Sequence, residues 1–204
     1  MSPTSSAGPD WKSRLDAVVE TMRDMSQQTD PQAMVRAYSE RIRKLLPLDR
    51  RISLSRRGLT YPEYRVTRNS TWENEINPWK ERHRLPLLRG GVVADWLYNE
   101  TACVLNDFEV PADDPAHDLL AGCRSIMTIP MYDRGEGLNM VLLLQNPPNA
   151  FDQDQLPEIV WRSNLFGQAT NNLVIKGELE KAYRSLDREM RAVGEIQTAL
   201  LPQE

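Results

Sequence analysis

The stretch RSIMTIPMYDRGEGLNMVLLL, residues 124–144, decides the fold of this chain of 204 residues. Two apolar segments, residues 125–131 and 138–144, flank a short segment, residues 133–137, that is rich in turn-forming residues. Apolar runs of this length on either side of a glycine-containing loop are typical of an antiparallel β-hairpin. We therefore predict an antiparallel sheet at the centre of the chain.

Shorter elements precede this hairpin in the sequence. Alternation of polar and apolar residues predicts strands at residues 51–55 and 63–67, and a three-residue strand is expected at 103–105. Residues 91–98 and 114–120 are predicted to form short helices. Residues 71–91 follow no regular pattern, and their large apolar side chains predict a loop that packs over the sheet.

Long helices are predicted at both ends of the chain. Apolar residues four and three positions apart indicate a helix over residues 10–28, and Pro31 fits the first position of a second helix. The pattern is again helical from Asp154 onwards, and Pro157 fits the first turn, which favours Asp154 over Asp152 as the N-cap. The predicted fold class is α+β, a central antiparallel sheet with flanking helices and long N- and C-terminal helices. The predicted organisation is a flexible lead (1–9), an N-terminal helix (10–28), one domain (29–176) and a helical linker (177–204).

The last helix carries an apolar stripe that is typical of a coiled coil. Steps of four and three residues are the spacing of a seam between two helices. Gly194 and a polar residue within the stripe weaken it towards its end, which fits either a switch or a frayed terminus. We predict that the chain forms a homodimer through this seam and the first helix. The seam consists of Leu179, Tyr183, Leu186, Met190, Val193, Gln197 and Leu200.

Composition excludes several classes of protein. Because the net charge is only −4, no general affinity for nucleic acid or for anionic membranes is expected, and the basic cluster at residues 41–57 is interpreted as a solvated surface. Two cysteines are too few for a disulfide framework or a structural zinc site. The first residues lack the apolar core of a signal peptide, and no apolar run approaches the ~20 residues that span a bilayer. We therefore predict a cytoplasmic protein.

Four short motifs occur in the order found in GAF domains, the sensory modules of many bacterial signalling proteins. They are GVVADW at 91–96, VLND at 104–107, RSIMTIPM at 124–131, and FDQD at 151–154. The first resembles the glycine-led helix of that family, and the third resembles its "RS…PL" strand. The resemblance covers residues 29–174 and implies a GAF-like fold with a sensory role.

The end of the chain resembles part of a different family. EIQTALLP, residues 195–202, is similar to the segment that introduces bacterial RsbU and sporulation-type metal-dependent serine/threonine phosphatase domains. This resemblance implies a regulatory sensor and dimerisation module that relays a signal through a coiled-coil linker to an output domain beyond this chain. The chain itself would then have no catalytic residues, no metal and no cofactor. The parent phosphatase would use Mn or Mg and act on a phosphoprotein.

Other outputs share the same sensor fold and remain open. A histidine kinase or a cyclic-dinucleotide enzyme would have a similar sensor and linker. One branch of the GAF fold reduces free methionine sulfoxide through cysteines, but the resemblance to that branch is limited to Cys123 standing before a strand. We expect both Cys103 and Cys123 to be inert thiols.

A ligand pocket for an unknown small molecule is predicted over the sheet. Aromatic side chains would line the pocket and Arg124 would orient the ligand, with Asp95 or Asp107 as the partner of Arg124. Asn139 is not followed by the signature of cyclic-nucleotide binders, and neither cysteine is followed by the histidine often found in bilin binders. The alternative is that these residues only fill the core. The predicted pocket residues are Tyr64, Trp72, Trp79, Trp96, Arg124 and Met127.

Overall fold

The computed structural model describes residues 11–200, without the side chains of residues 13, 14, 17, 45 and 198–200. The described residues divide into two compact units. One unit is formed by Val35–Gln168, and the other by the segments that end at Met34 and begin at Ala169. No helix within residues 11–200 combines the length and the apolar character that crossing a lipid bilayer requires.

A six-stranded sheet forms the centre of the Val35–Gln168 unit. Its strand order is β3-β2-β1-β6-β5-β4, and every neighbouring pair is antiparallel. The predicted hairpin is confirmed as the pair β5 and β6, and the predicted α+β class with a central antiparallel sheet is confirmed as well. The strands are β1 (Arg50–Ser55), β2 (Glu63–Asn69), β3 (Leu87–Arg89), β4 (Cys103–Leu105), β5 (Ser125–Asp133) and β6 (Glu136–Gln145).

The hairpin closes through a two-residue turn. Asp133 lies opposite Glu136, and the two residues between them, Arg134 and Gly135, have φ angles of 54° and 88°. Positive φ at both central positions is the geometry of a type I′ turn, whose twist matches that of the flanking strands. Glycine tolerates this conformation without steric cost, which is why the turn falls at this position.

Five helices accompany the sheet in the described part of the chain. The last of them continues without interruption through Gly167, Gly177 and Gly194 for 45 residues. A short 3-10 turn, Gln153–Gln155, precedes this helix. The capping residue is therefore Asp152 and not the predicted Asp154. The Asp152 carboxylate accepts a hydrogen bond from the Asp154 amide at 3.0 Å. The helices are α1 (Trp11–Gln27), α2 (Pro31–Leu45), α3 (Gly91–Tyr98), α4 (His117–Leu120) and α5 (Leu156–Leu200).

The segment predicted as irregular, residues 71–91, contains the edge strand β3. Leu88 lies opposite Tyr64 of β2, and a single 3-10 turn, Arg82–Arg84, precedes the strand. A strand of three residues is too short to establish an alternating pattern, since Leu88 has only one exposed residue on either side of it. The large apolar side chains of this segment do pack on the sheet, as Trp72 and Leu88 show by their contact with the buried cluster.

The two faces of the sheet bury different sets of residues. On one face, Ile52, Leu54 and Val66 pack with α3 and α4 in a single apolar cluster. On the other face, the Tyr38 ring of α2 lies 4.5 Å from the Phe166 ring of α5, and the Tyr38 hydroxyl hydrogen-bonds to the hydroxyl of Ser163. We call these the α3 face and the α2 face of the sheet.

The first part of α5 covers the free edge of β5. Beyond the short strand β4, the Asn164 amide donates to the Pro130 carbonyl at 3.0 Å and accepts from the Tyr132 amide at 2.9 Å. Gln168 donates to the Tyr132 carbonyl one turn later. These side chains take the place of a neighbouring strand, so they satisfy backbone groups that would otherwise be exposed at a sheet edge.

Candidate ligand pocket and apolar helix face

Tyr64 lies at the centre of the α3 face. Its side chain is completely buried, and its hydroxyl has no hydrogen-bond partner among the described residues. Burial raises the pKa of this phenol, and the nearby carboxylate of Asp114 raises it further. The phenol therefore stays protonated and keeps one donor available on this side of the sheet.

The same carboxylate holds the beginning of α3. Asp114 accepts hydrogen bonds from the Val92 amide at 2.8 Å and from the Ala116 amide at 2.7 Å. The residue before the helix, Gly90, supplies no side-chain cap, so Asp114, 22 positions after Val92, takes that role. Gly91 has a φ of 78°, and a Cβ placed there would lie only 2.5 Å from the Asp114 carboxylate, which explains why glycine is needed at this position.

Two of the predicted tryptophans pack on the same face as Tyr64. Trp96 and Trp72 are half-buried and contact the α3-face cluster. The Trp96 ring meets the Phe108 ring edge-on, with centroids 5.4 Å apart. Trp96 and Trp72 therefore add aromatic surface to the cluster that contains Tyr64, and Trp72 also lines a groove on the α2 face.

Two of the predicted pocket residues, Trp79 and Met127, do not pack with Tyr64 and Trp96. Trp79 is 40% exposed, and its ring lies 5.4 Å from the guanidinium of Arg68. Met127 is buried on the α2 face, because its neighbour Ile126 belongs to the α3-face cluster and successive side chains of a strand point to opposite faces. The six predicted residues therefore do not line one common cavity.

Arg124 stands at the start of β5 in a cluster of opposite charges. It pairs with Asp107, one of the two predicted carboxylates, and its Nη1 lies 3.2 Å from the carboxylate of Glu109. Asp95, the other predicted partner, instead accepts a hydrogen bond from the Tyr61 hydroxyl at 3.1 Å. Arg124 is therefore satisfied mainly by its own neighbours, with only its Nε atom buried and without a partner among the described residues.

A second polar cluster, not predicted from the sequence, ties α3 to β6. The Glu100 carboxylate accepts from the Arg56 guanidinium and from the Gly137 amide, both at 2.8 Å. The same guanidinium donates to the Gly137 carbonyl at 2.9 Å and lies 4.9 Å from the Tyr98 ring. A Cβ at position 137 would come within 2.8 Å of the Glu100 side chain. The glycine at this position was therefore the one feature of the sequence that indicated close packing of another side chain against β6.

The C-terminal part of α5 presents a continuous row of apolar side chains to solvent. Each of them is more than half exposed, from 53% for Leu179 to 66% for Met190. Gln197 is exposed too, whereas the side chain of Leu200 lies outside the described residues. We call this row the apolar helix face; it consists of Leu179, Tyr183, Leu186, Met190, Val193 and Ile196.

Helix α1 exposes a similar row. Trp11, Leu15, Val19 and Met22 are all more than two-fifths exposed, although their spacing of four and three residues is that of a buried stripe. Large apolar side chains are rarely grouped together in water, so both helices have the character of interaction surfaces.

The described residues offer little for metal or thiol chemistry. They contain no group of three His, Cys, Asp or Glu side chains that is placed to hold a metal ion. Cys103 and Cys123 are both free, and Cys123 is buried. Burial raises the pKa of the Cys123 thiol, which disfavours the thiolate that a nucleophile or redox centre needs.

Comparison with known proteins places the fold among GAF domains. No protein-family model matches the sequence, and no curated protein matches it. The GAF domain from a phosphoenolpyruvate-protein phosphotransferase of Coxiella burnetii superposes with a TM-score of 0.59 at 14% identity, covering 80% of this chain and 96% of that chain. The corresponding domain from Acinetobacter gives a TM-score of 0.56 at 12% identity, with the same coverage of 80% and 96%.

A third similar structure is an enzyme. The type II free methionine-R-sulfoxide reductase from Thermoplasma acidophilum superposes with a TM-score of 0.52 at 11% identity, covering 70% of this chain and 94% of that chain. At such low identity these likenesses show the fold alone. The chain therefore contains a domain of the GAF-like α+β fold, which unrelated functions share.

Proposed function

We propose that this chain is the regulatory sensor and dimerisation module of a bacterial serine/threonine protein phosphatase of the RsbU and sporulation type, and that it works in the cytoplasm. The observation that carries the proposal is α5, which begins in the GAF-like unit and continues as one helix to an exposed apolar face. The segment EIQTALLP at residues 195–202, which resembles the start of such phosphatase domains, supports the choice of output.

In this mechanism the chain forms a homodimer in which two copies of α5 pair through the apolar helix face. Two pairings of similar free energy would exist, and a ligand or partner that binds one of them better would shift the population. Such a shift is passed along the helix because α5 has no break between Phe166, which is buried on the α2 face, and Val193 on the apolar helix face.

The buried hydroxyl of Tyr64 supports an unidentified small-molecule ligand on the α3 face. A polar group in this position is stabilised by any ligand that accepts its hydrogen bond. Trp96 would then contact the body of the ligand, since it packs against the same apolar cluster as Tyr64.

Light scattering of the 204-residue chain tests the dimer. We expect the wild-type mass of a dimer, and a monomer for the double variant Leu186→Gln plus Met190→Gln, because each glutamine puts polar atoms into the apolar seam. The matched control is Ser185→Gln plus Ala192→Gln, which changes exposed residues of the same helix outside the apolar helix face. An unchanged mass for the first variant refutes the seam.

The output is tested separately by reading the coding sequence that follows residue 204. A domain with the metal-binding aspartates of a manganese- or magnesium-dependent phosphatase is expected, and phosphatase assays on phosphoprotein substrates then become possible. A histidine kinase or a cyclic-dinucleotide enzyme in that place would contradict the phosphatase proposal while leaving the dimeric sensor intact.

A further inference from the structure

A groove rich in arginine lies on the other side of the sheet from Tyr64. Helix α2 forms one wall of the groove and strands β1 and β2 form the other, and its volume is about 250 Å³. Arg51 alternates with the buried Ile52, so its side chain leaves β1 on the α2 face. We call this cavity the arginine groove; its guanidinium groups belong to Arg36, Arg43, Arg51 and Arg68.

Positive charge exceeds negative charge in this groove. Four arginines face only two carboxylates there, those of Glu40 and Glu75, although the whole chain has a net charge of −4. An adjoining cavity of about 250 Å³ shares Arg43 and Arg51 and is also lined by Asp49 and Arg50, whose guanidinium donates to the Leu119 carbonyl. The basic cluster predicted as a solvated surface is therefore partly folded into a concave site.

The innermost arginine, Arg51, forms no close ion pair with a described carboxylate, and Glu75 acts on it only through its nearby charge. Arg51 is half-buried and donates to the hydroxyl of Ser39 on α2, and no described carboxylate lies within 4.0 Å of either Arg51 or Arg43. Burial, with the nearby charge of Arg68 as the second cause, lowers the pKa of Arg51 to about 10. Removing a cation from water beside other cations costs free energy, and a bound anion would offset that cost.

One of the two carboxylates in the groove, Glu75, forms a long and exposed ion pair with Arg36. Arg36 and Glu75 are 3.9 Å apart, and their side chains are 55% and 61% exposed. An exposed pair at this distance contributes little to stability, so an incoming anion can displace it at small cost. Trp72 and Ile76 form an apolar part of the lining beside the charged groups.

We propose that the arginine groove binds a phosphate-bearing small molecule, with the guanidiniums of Arg43 and Arg51 holding the phosphate and Trp72 contacting the rest of the ligand. Guanidinium groups suit this role, because their planar donors match the oxygens of a phosphate in pairs. The groove shares Trp72 with the predicted ligand pocket, but its arginines lie on the other face of the sheet from Tyr64. Its occupation does not depend on which output domain follows.

Isothermal titration of the 204-residue chain at fixed ionic strength tests the proposal with three probes: pyrophosphate, adenosine monophosphate and adenosine. We expect both phosphates to bind and adenosine to bind at least about tenfold more weakly than the monophosphate, because charge-assisted hydrogen bonds supply most of the affinity. Adenosine binding as tightly as its monophosphate would overturn the proposal, and so would the absence of binding by both phosphates.

Variants place the binding in the groove. Arg43→Gln should weaken phosphate binding about tenfold, and Arg43→Gln combined with Arg51→Gln should abolish it. The matched control is Arg89→Gln, which removes the same charge from an exposed position on β3. An equal loss in the control, or unchanged affinity in Arg43→Gln, would refute the site. Arg43 is exposed, so this single variant decides the question even if the change at Arg51 prevents folding.

Discussion

At the scale of single residues, Tyr64 combines complete burial with an unused hydroxyl. Replacing it by Phe removes the oxygen and keeps the ring in place. We expect Tyr64→Phe to leave the free energy of unfolding unchanged or to raise it by up to about 1 kcal/mol, because a buried polar group without a partner is destabilising. Urea denaturation measures this change.

The comparison for that experiment is Tyr38→Phe. The hydroxyl of Tyr38 is also buried but is hydrogen-bonded to Ser163, so its removal should cost about 1–2 kcal/mol. If Tyr64→Phe were the more damaging of the two changes, the hydroxyl of Tyr64 would have a partner in the protein, and the argument for a ligand on the α3 face would fail.

Asp114 shows how one carboxylate can fix a helix from a distance. We expect Asp114→Ala to lower the free energy of unfolding by about 1–2 kcal/mol, because the Val92 and Ala116 amides lose their acceptor. Asp113→Ala is the control, since Asp113 is an exposed neighbour of the same charge. Equal effects of the two substitutions, measured by thermal denaturation, would rule out the capping role.

At the scale of secondary-structure elements, Asn164 links α5 to the free edge of β5. We expect Asn164→Ala to cost about 1–2 kcal/mol, because two hydrogen bonds to the strand backbone are lost. The Tyr132 amide should also exchange its hydrogen faster, which NMR or mass spectrometry can follow. Asn172→Ala, an exposed asparagine on the same helix, should change neither quantity.

The elements that the sequence predicted well are those with a strong local pattern. The β5–β6 hairpin and the helix over residues 91–98 depend on apolar periodicity and on glycines that mark turns, and both were found as expected. Strand β3 was missed because a three-residue edge strand is defined by its partner β2 and hardly by its own side chains. Asp152 replaced Asp154 as the cap because a 3-10 turn before α5 displaced the expected boundary.

The site was less predictable than the fold for a related reason. The predicted pocket grouped Met127 with Tyr64, although side chains alternate along β5 and Met127 lies on the face opposite Ile126 and Tyr64. The Asp114 cap and the Glu100 contact with Gly137 join residues far apart in the chain, so no local sequence pattern could predict them. Only the glycines at both contacts gave a signal, as positions where a side chain would not fit.

At the scale of the whole molecule, two buried tyrosines make the free energy of unfolding depend on pH in the alkaline range. The native pKa of Tyr38 is raised to about 12, mainly by burial, and that of Tyr64 is raised as well, against an ordinary value of about 10. Above pH 10 the unfolded chain releases these protons first, so the native state binds more protons and its stability falls as the pH rises. Below about pH 10 each phenol is protonated in both states, so its full contribution to the free energy of unfolding is present.

Tyr64→Phe isolates one of these contributions. We expect its free energy of unfolding to fall less than that of the wild type between about pH 10 and pH 12, since the variant has no phenol to ionise at this position. Arg51 has a lowered native pKa and acts with the opposite sign, but it is present in both proteins and cancels in the difference. Parallel stability curves for the two proteins would show that Tyr64 ionises as readily in the native state as in the unfolded chain.

The strand order also has a consequence for the synthesis of the protein. The two middle strands of the sheet come from opposite ends of the domain's sequence, since Arg50 of β1 lies opposite Leu144 of β6. A nascent chain on the ribosome therefore makes β1, β2 and β3 long before β6, and the backbone groups along one edge of β1 have no partner strand until then. The domain should consequently fold only after β6 has emerged, slowly and in one step, as proteins dominated by distant contacts do.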